Sequence, residues 1–342
     1  MIELRNIVKR FNNGTASETI AIDHLNLTLQ EGDFITVIGG NGAGKSTLMN
    51  IIAGSISADE GQVLLDNEDV SRMPEYKRAP YFGRVFQDPM VGTAADMTVI
   101  ENLALAYGRG RRRSLFRWSY RPDDVEFFIN ELKSLDLGLE DRLYQKVGLL
   151  SGGQRQALTL LMATIRHHPS PSRIKKDYVT FSSGDKKELK LKIDTIFANI
   201  EDAYRRRREV IINDASLNKE EKIEKLKQIK MIRDDEIRLY DLTKPVLLLD
   251  EHTAALDPKT AEKVLQTTEK IVKENHLTTI MITHNMKDAI RFGNRLVMMS
   301  KGKIVADISG EEKQKLTIES LLDMFVTNSK NDILADSAIL GD

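Results

Sequence analysis

The sequence predicts an α/β fold built on a mostly parallel β-sheet, with a helical insertion late in the chain. Three observations lead there. Apolar runs at residues 34–38, 246–249 and 279–283 have the continuous character of strands buried on both faces. Helix-like sequence follows each run, the alternation that builds a parallel sheet. Residues 169–244 interrupt that alternation with two long charged stretches of helical period.

Taken in order, residues 1–30 read as short alternating strands, an antiparallel β-subdomain with a turn at Asn12-Asn13-Gly14. The strand Phe34-Ile35-Thr36-Val37-Ile38 runs into a glycine-rich turn. From Ser46 to Ala53, Leu48, Met49, Ile51 and Ile52 recur at helical spacing. Residues 98–107 and 123–137 read as helices. The arginine cluster between them (Arg109, Arg111, Arg112, Arg113, Arg117) reads as a solvated face, with nearness to lipid headgroups as the alternative. A further helix is expected from about Gly153 to His167.

Pro169-Ser170-Pro171-Ser172 is a linker signal. Beyond it, Ile193, Ile196, Phe197, Ile200 and Tyr204 share one helical face, and Ile223, Leu226, Ile229 and Ile232 share another. Asn213-Asp214-Ala215-Ser216 supplies a turn, so 169–244 reads as an inserted antiparallel helical hairpin. Between Ser170 and Lys244, 19 Lys and Arg face 15 Asp and Glu, a net +4. Such a charged hairpin reads as solvated, or as an arm that touches a partner, the other subunit or anionic lipid. The remaining pieces, 1–168 and 245–325, form the main domain, with a helical subdomain at about 88–165. Residues 326–342 form a polar tail, expected to be partly disordered.

Composition removes several function classes. The 342 residues are 41% apolar and carry a net charge of −1, so no overall basic field would hold nucleic acid. There is no cysteine, which excludes disulfides, thiolate zinc sites and thiol catalysis and fits a reducing compartment. No apolar run approaches the ~20 residues needed to span a bilayer. Met1-Ile2-Glu3-Leu4-Arg5 alternates like a strand and lacks the apolar centre of a secretory signal. A cytoplasmic protein is expected, with any membrane association made through a partner.

Gly39-Gly40-Asn41-Gly42-Ala43-Gly44-Lys45-Ser46 fits the phosphate-loop pattern, and Thr47 continues it into the helix. Glycines let backbone N–H groups close on phosphate oxygens, and the helix adds its positive end. Lys45 can reach the β- and γ-phosphates of ATP, and the Ser46 hydroxyl can ligate Mg²⁺. Asp250 and Glu251 end a buried strand, where ligands bind in such sheets. Asp250 is suited to hold Mg²⁺ and Glu251 to polarise an attacking water. Ser151-Gly152-Gly153-Gln154 opens a helix and makes a second anion-binding end, although taken alone it reads first as an ordinary N-cap.

At this point the chain resembles the ABC ATPase family, a P-loop NTPase fold. Leu150-Ser151-Gly152-Gly153-Gln154 is similar to the family's signature. Gln87, within Val85-Phe86-Gln87-Asp88-Pro89, matches its Q-loop, which senses the γ-phosphate and Mg²⁺ and contacts a transmembrane partner. Ala254-Ala255-Leu256-Asp257 matches the D-loop, and His284 the switch histidine that contacts the γ-phosphate. Phe11 stands where the family stacks an aromatic, more often tyrosine, on adenine. His252 departs from the pattern, since a proline or small residue usually follows the catalytic glutamate. The resemblance covers about 1–168 and 245–325.

The family implies a head-to-tail dimer in which ATP on one subunit's phosphate loop meets Ser151–Gln154 of the other. One set of motifs means pairing with a copy of itself or with a sister subunit. It also implies a membrane permease, reached through residues 88–102, and a peripheral place on the inner face of the cell membrane. Asn102–Ala106 with Arg109-Gly110-Arg111, Leu161-Met162-Ala163-Thr164 and Asp250–Asp257 resemble a bacterial group of tryptophan/tyrosine-type importers. The resemblance therefore implies an ATPase driving import of a small solute such as an aromatic amino acid, with a solute-binding protein as further partner and no nucleic acid. The alternative is a non-transport ABC ATPase acting on nucleic acid or the ribosome.

Overall fold

Among the described residues two β-sheets form, and their strand patterns differ as their hydropathy does. The computed structural model describes residues 1–109, 120, 122–165, 174–175, 178–179, 182, 184–238 and 246–327. The chain divides into two compact units, Met1–Arg166 with Pro245–Asp342, and His167–Lys244.

In the first unit, β1 (Ile2–Phe11) and β2 (Thr19–Leu29) are longer than the short strands expected. They pair antiparallel with β4 (Glu60–Leu65) and β5 (Glu68–Asp69) in the order β2-β1-β4-β5. One face alternates inward through Ile2, Leu4, Leu27 and Leu29. The second sheet contains β3 (Phe34–Gly39), β6 (Phe82–Val85), β7 (Val246–Asp250), β8 (Thr279–Ile282), β9 (Arg295–Ser300) and β10 (Lys303–Ser309). Its order is β10-β9-β3-β8-β7-β6, parallel throughout except for β10 against β9. β3 is buried at every residue, as its unbroken apolar run requires.

Helices cover the parallel sheet. α1 (Lys45–Ala53) follows β3 and packs with the inner faces of both sheets. α2 (Glu75–Arg78) precedes β6. On the opposite side lie α3 (Val99–Tyr107), α4 (Pro122–Ser134), α5 (Gly152–Thr164) and α8 (Pro258–Glu274), whose buried residues join Val85, Leu247 and Leu249 of the sheet in one cluster. α9 (Met286–Arg291), α10 (Gly310–Gln314) and residues 318–327 close the chain around a third cluster at Ile38, Leu296 and Leu321. α5 begins at Gly152 and stops at Thr164, short of the expected His167, because Ile165 is extended.

The second unit holds α6 (Lys186–Asn213) and α7 (Lys219–Arg238), joined by a turn at 214–218. Asp185 caps α6 by accepting from Lys187 and Glu188 N–H. The helices run back along each other, with Lys222 Nζ donating to Ile212 O (2.8 Å) and Arg233 paired to Glu201 (3.7 Å). Ile193 and Phe197 are buried with Ile174 and Ile237. The expected face of the second helix is not realised in full, since Ile223 and Ile232 are exposed. Arg111, Arg112, Arg113, Arg117, the Pro169–Ser172 linker and tail residues 328–342 lie outside the described residues.

Candidate active site

The loop after β3 is shaped by how closely other strands approach it. A Cβ on Gly39 would lie 2.4 Å from Met299 O, and one on Gly44 would lie 2.4 Å from Ala21 O. Gly44 is also left-handed (φ 95°) and serves as the N-cap of α1 without any side-chain cap. The loop from Gly39 to Ser46 therefore admits no bulk at those two points and leaves the first amides of α1 without a side-chain acceptor. Lys45 is buried and folds back over the loop, donating from Nζ to Gly39 O (2.9 Å) and Gly40 O (3.0 Å). Burial lowers its pKa, against the pull of Glu251 and then Asp250.

A cavity of about 320 Å³ opens over this loop. It is lined by Asn41–Thr47, by Thr19 and Ala21 of β2, and by Glu251 and His284. The last two arrive from the ends of neighbouring parallel strands, with Asp250 of β7 opposite Ile282 of β8. Glu251 is held at φ 47° and its N–H donates to Ile282 O (3.1 Å). A non-glycine residue in that region is uncommon and strained, a trait that gathers at functional sites. Glu251 Oε1 lies 2.5 Å from His284 Nε2. The carboxylate is mostly buried at 16% exposure, while the histidine, at 48%, faces the open side.

Asp250 stands at the same strand end but does not line the cavity; its Oδ2 lies 3.4 Å from Arg84 Nη2. Arg84, on adjacent β6, also packs its guanidinium 4.6 Å from the centroid of Phe86. Sequence reading missed it, and the available signal was a single arginine inside the apolar strand Phe82–Val85. Gln87 is exposed just beyond β6 and does not line the cavity. Phe11 ends β1 opposite Thr19, a residue that does line it, and its half-exposed ring has Lys9 Nζ at 5.6 Å. The hydroxyl of Ser46 and the carboxylate of Asp250 are hard oxygen donors that suit Mg²⁺. Among the described residues no cluster of three acidic, His or Cys side chains is placed to hold a metal.

Ser151–Gln154 lie at a separate place. Ser151 Oγ accepts from Gln154 N–H (3.3 Å) and Gln154 Oε1 accepts from Ser151 N–H (3.3 Å), a reciprocal capping box. Asp257 caps α8 by accepting from Thr260 N–H (3.1 Å). The two helix starts meet so closely that a Cβ on Gly153 would lie 2.1 Å from Thr260 Cγ2. The cavity there, about 880 Å³, includes Arg142, Lys259 and Lys263 with Ser151, Gly153 and Gln154. A single chain thus keeps its two glycine-rich helix starts in different cavities.

His252, the departure from the family pattern, is buried and turned away from the cavity, Nε2 at 3.2 Å from Thr268 Oγ1 on α8. Burial pushes its imidazole down to about 4. Arg109 contradicts the solvated-face reading, since it donates to Met162 O and to Ala163 O (3.5 Å) at the end of α5.

The "ABC transporter" family profile matches residues 22–170. The chain is 34% identical to the tyrosine transport ATP-binding protein of Clostridioides difficile, over 95% of this chain and 98% of that one. It is 26% identical to the spermidine/putrescine import ATP-binding protein of Haemophilus influenzae, over 91% of this chain but only 59% of the relative. The fold is similar to the dimeric structure of a bacterial ABC transporter cassette, with a TM-score of 0.58, 23% identity and coverage of 90% of this chain and 98% of that one. Among the described residues no helix is long and apolar enough to cross a membrane.

Proposed function

The chain belongs to the ABC transporter ATP-binding family, and from that premise we propose that it hydrolyses ATP at the Gly39–Thr47 cavity to drive import of an aromatic amino acid. ATP binding and hydrolysis are properties of the family. The residue roles, the Mg²⁺, the partners and the cargo are our reading. One observation carries the chemistry: the 2.5 Å contact of Glu251 with His284 beside the phosphate loop that holds Lys45.

In this reading the amides of the loop and Lys45 hold the β- and γ-phosphates, with Lys45 exchanging its carbonyl partners for phosphate oxygens. Ser46 and Asp250 would hold Mg²⁺, which would neutralise phosphate charge when bound. Glu251 accepts a proton from water as the water oxygen attacks the γ-phosphorus. The bond to the bridging oxygen breaks and ADP leaves with that oxygen. His284 stabilises the γ-phosphate and orients Glu251. Gln87 reports on that site from the loop beyond β6, Phe11 stacks on adenine, and Ser151–Gln154 with Asp257 approach from a second subunit. The second subunit is a copy of this chain. A membrane permease docks over 88–102 on the inner face of the membrane, beside a solute-binding protein.

Likeness to the tyrosine transport ATP-binding protein supports the aromatic cargo. The test is co-purification with a multi-span permease, followed by ATP-dependent uptake in vesicles. Uptake of labelled tyrosine or tryptophan is expected. Uptake of another solute would overturn the cargo, and tight salt-dependent nucleic-acid binding without a permease would overturn transport.

A further inference from the structure

Three cationic side chains of the ATPase unit take no part in the chemistry above, yet each is drawn inward. Arg78 and Lys313 are only 2% and 3% exposed, and Arg109 is half-buried. All three spend their N–H groups on main-chain carbonyls. Arg78 Nη1 donates to Ile51 O (2.8 Å) and Ile52 O (3.0 Å) in the last turn of α1, and its other N–H groups hold the Val70–Met73 turn. Arg109 donates to Met162 O and Ala163 O in the last turn of α5. Lys313 donates to Phe292 O and to Gly293 O (3.0 Å), just past α9. Lys313 Nζ also lies 3.5 Å from Thr36 Oγ1, whose hydroxyl donates to Ala289 O of α9 (2.9 Å).

Three of the helices so treated start at or beside a nucleotide motif. α1 begins in the phosphate loop, α5 begins at Ser151–Gln154, and α9 follows His284 directly. Lysines nearer the surface reach two further helix ends, Lys222 Nζ donating to Ile212 O (2.8 Å) in α6 and Lys270 Nζ to Ser134 O (3.3 Å) in α4, whereas α8 and α3 are closed otherwise. α8 ends on Asn275, whose neutral amide donates to Ile271 O (2.9 Å), and α3 ends on Gly108, whose backbone N–H donates to Ala104 O and Ala106 O. The protein accommodates the first of the three cations deliberately: Gly54, left-handed at φ 84°, could not gain a Cβ without meeting Arg78 Cδ at 2.8 Å.

We propose that Arg78, Arg109 and Lys313 are positioning residues for ATP turnover, each fixing the carbonyl end of a helix that starts at or beside a nucleotide motif. A helix carries partial positive charge at its amide end and partial negative charge at its carbonyl end. A buried cation behind the carbonyl end cancels the negative pole, and at α1, whose amide end has no side-chain cap, this leaves the positive pole facing the phosphates. In a low-dielectric interior that field reaches farther than in water. The same contacts fix where each helix ends, and so where Lys45, Ser151 and His284 stand. The inference rests on the reading that ATP binds over Gly39–Thr47.

The test uses the full chain with its permease, and MgATP as the probe. Arg78→Gln is expected to raise the Kd for ATP roughly ten-fold with kcat changed little, and Arg78→Lys to recover most of that loss. Lys313→Gln is expected to lower kcat several-fold while Kd stays within two-fold, since it acts behind the switch histidine. Arg109→Gln, at the half-buried position, is expected to lower kcat without altering ATP affinity in the isolated subunit. Arg109→Gln and Arg78→Lys decide the matter should Arg78→Gln fail to fold. Folded variants with a lowered Tm but unaltered Kd and kcat would overturn the proposal. Wild-type protein that neither binds nor hydrolyses ATP would instead overturn the functional reading itself.

Discussion

Two glycine-rich turns feed helices in this protein, and they finish the job differently. At α1 the N-cap is Gly44, which has no side chain to offer, so the first amides are kept for a ligand. At α5, Ser151 and Gln154 satisfy each other and the helix start is complete without one. The first turn has Lys45, Glu251 and His284 around it, the groups on which the proposed hydrolysis draws. The second has Arg142, Lys259 and Lys263, which can attract an anion but supply no attacking water. The difference teaches that, in the proposed dimer, one chain brings two unequal halves of a site. A self-capped helix start suits a late, reversible contact, and an uncapped one suits a permanent seat.

The largest effect that would test this division comes from Glu251→Gln. Hydrolysis should fall by roughly 10²–10⁴-fold while ATP binding persists, and an ATP-bound dimer should accumulate on size-exclusion chromatography. A variant that stays monomeric with ATP bound would break the two-halves picture. Ser151→Ala should act next. Loss of the cap should lower stability by about 1 kcal/mol, and ATPase activity should drop roughly ten-fold, with the isolated subunit's ATP affinity unchanged. Equal losses of affinity and turnover would mean the two helix starts are not separable.

A smaller effect probes the carbonyl end of a helix rather than its start. Burial holds Lys313 at about 8, against an ordinary 10.5. Between those values the unfolded chain binds more protons than the folded one, so stability rises with pH across that window. Lys313→Met should flatten the rise by an amount on the order of 1 kcal/mol, read from urea unfolding at the window's two ends. The smallest effect is expected from replacing 170–244 with a short Gly/Ser bridge. The Kd for ATP should stay within about two-fold, because the described residues that line the loop cavity all belong to the first unit. A large change there would move part of the nucleotide site into the insertion.

What could be read beforehand was whatever carried its chemistry in spacing. Lys45, Ser46, Asp250, Glu251 and His284 announce themselves because a loop, a strand end and a following histidine recur in fixed order. Arg84 gave no such notice, since a lone arginine in a four-residue strand has no periodicity to mark it. β9 and β10 escaped because Arg295, Lys303 and Asp307 break their apolar runs. Their stability includes the Arg295–Asp307 pair at 2.5 Å, which only register creates. Helical period found the α7 face but could not say what would cover it, and Ile223 and Ile232 remain in solvent. Arg109 looked like one more charge in a basic run until the carbonyls of Met162 and Ala163 were seen to meet it.

The order β3-β8-β7-β6 in the parallel sheet sets a timetable for the emerging chain. β6 ends at Val85, and its partner β7 begins only at Val246. A ribosome must therefore make the whole inserted unit before the edge of β6 finds its neighbour. The antiparallel strands β1, β2 and β4 can pair early, and Ile193, Phe197 and Ile237 let the insertion collapse on its own. Closing the central sheet is the distant, entropically costly step, and until then an unpaired strand edge waits exposed. Production of this protein should accordingly be limited by the time between Val85 and Val246, a clock that heat, fast translation or a longer insertion would each disturb.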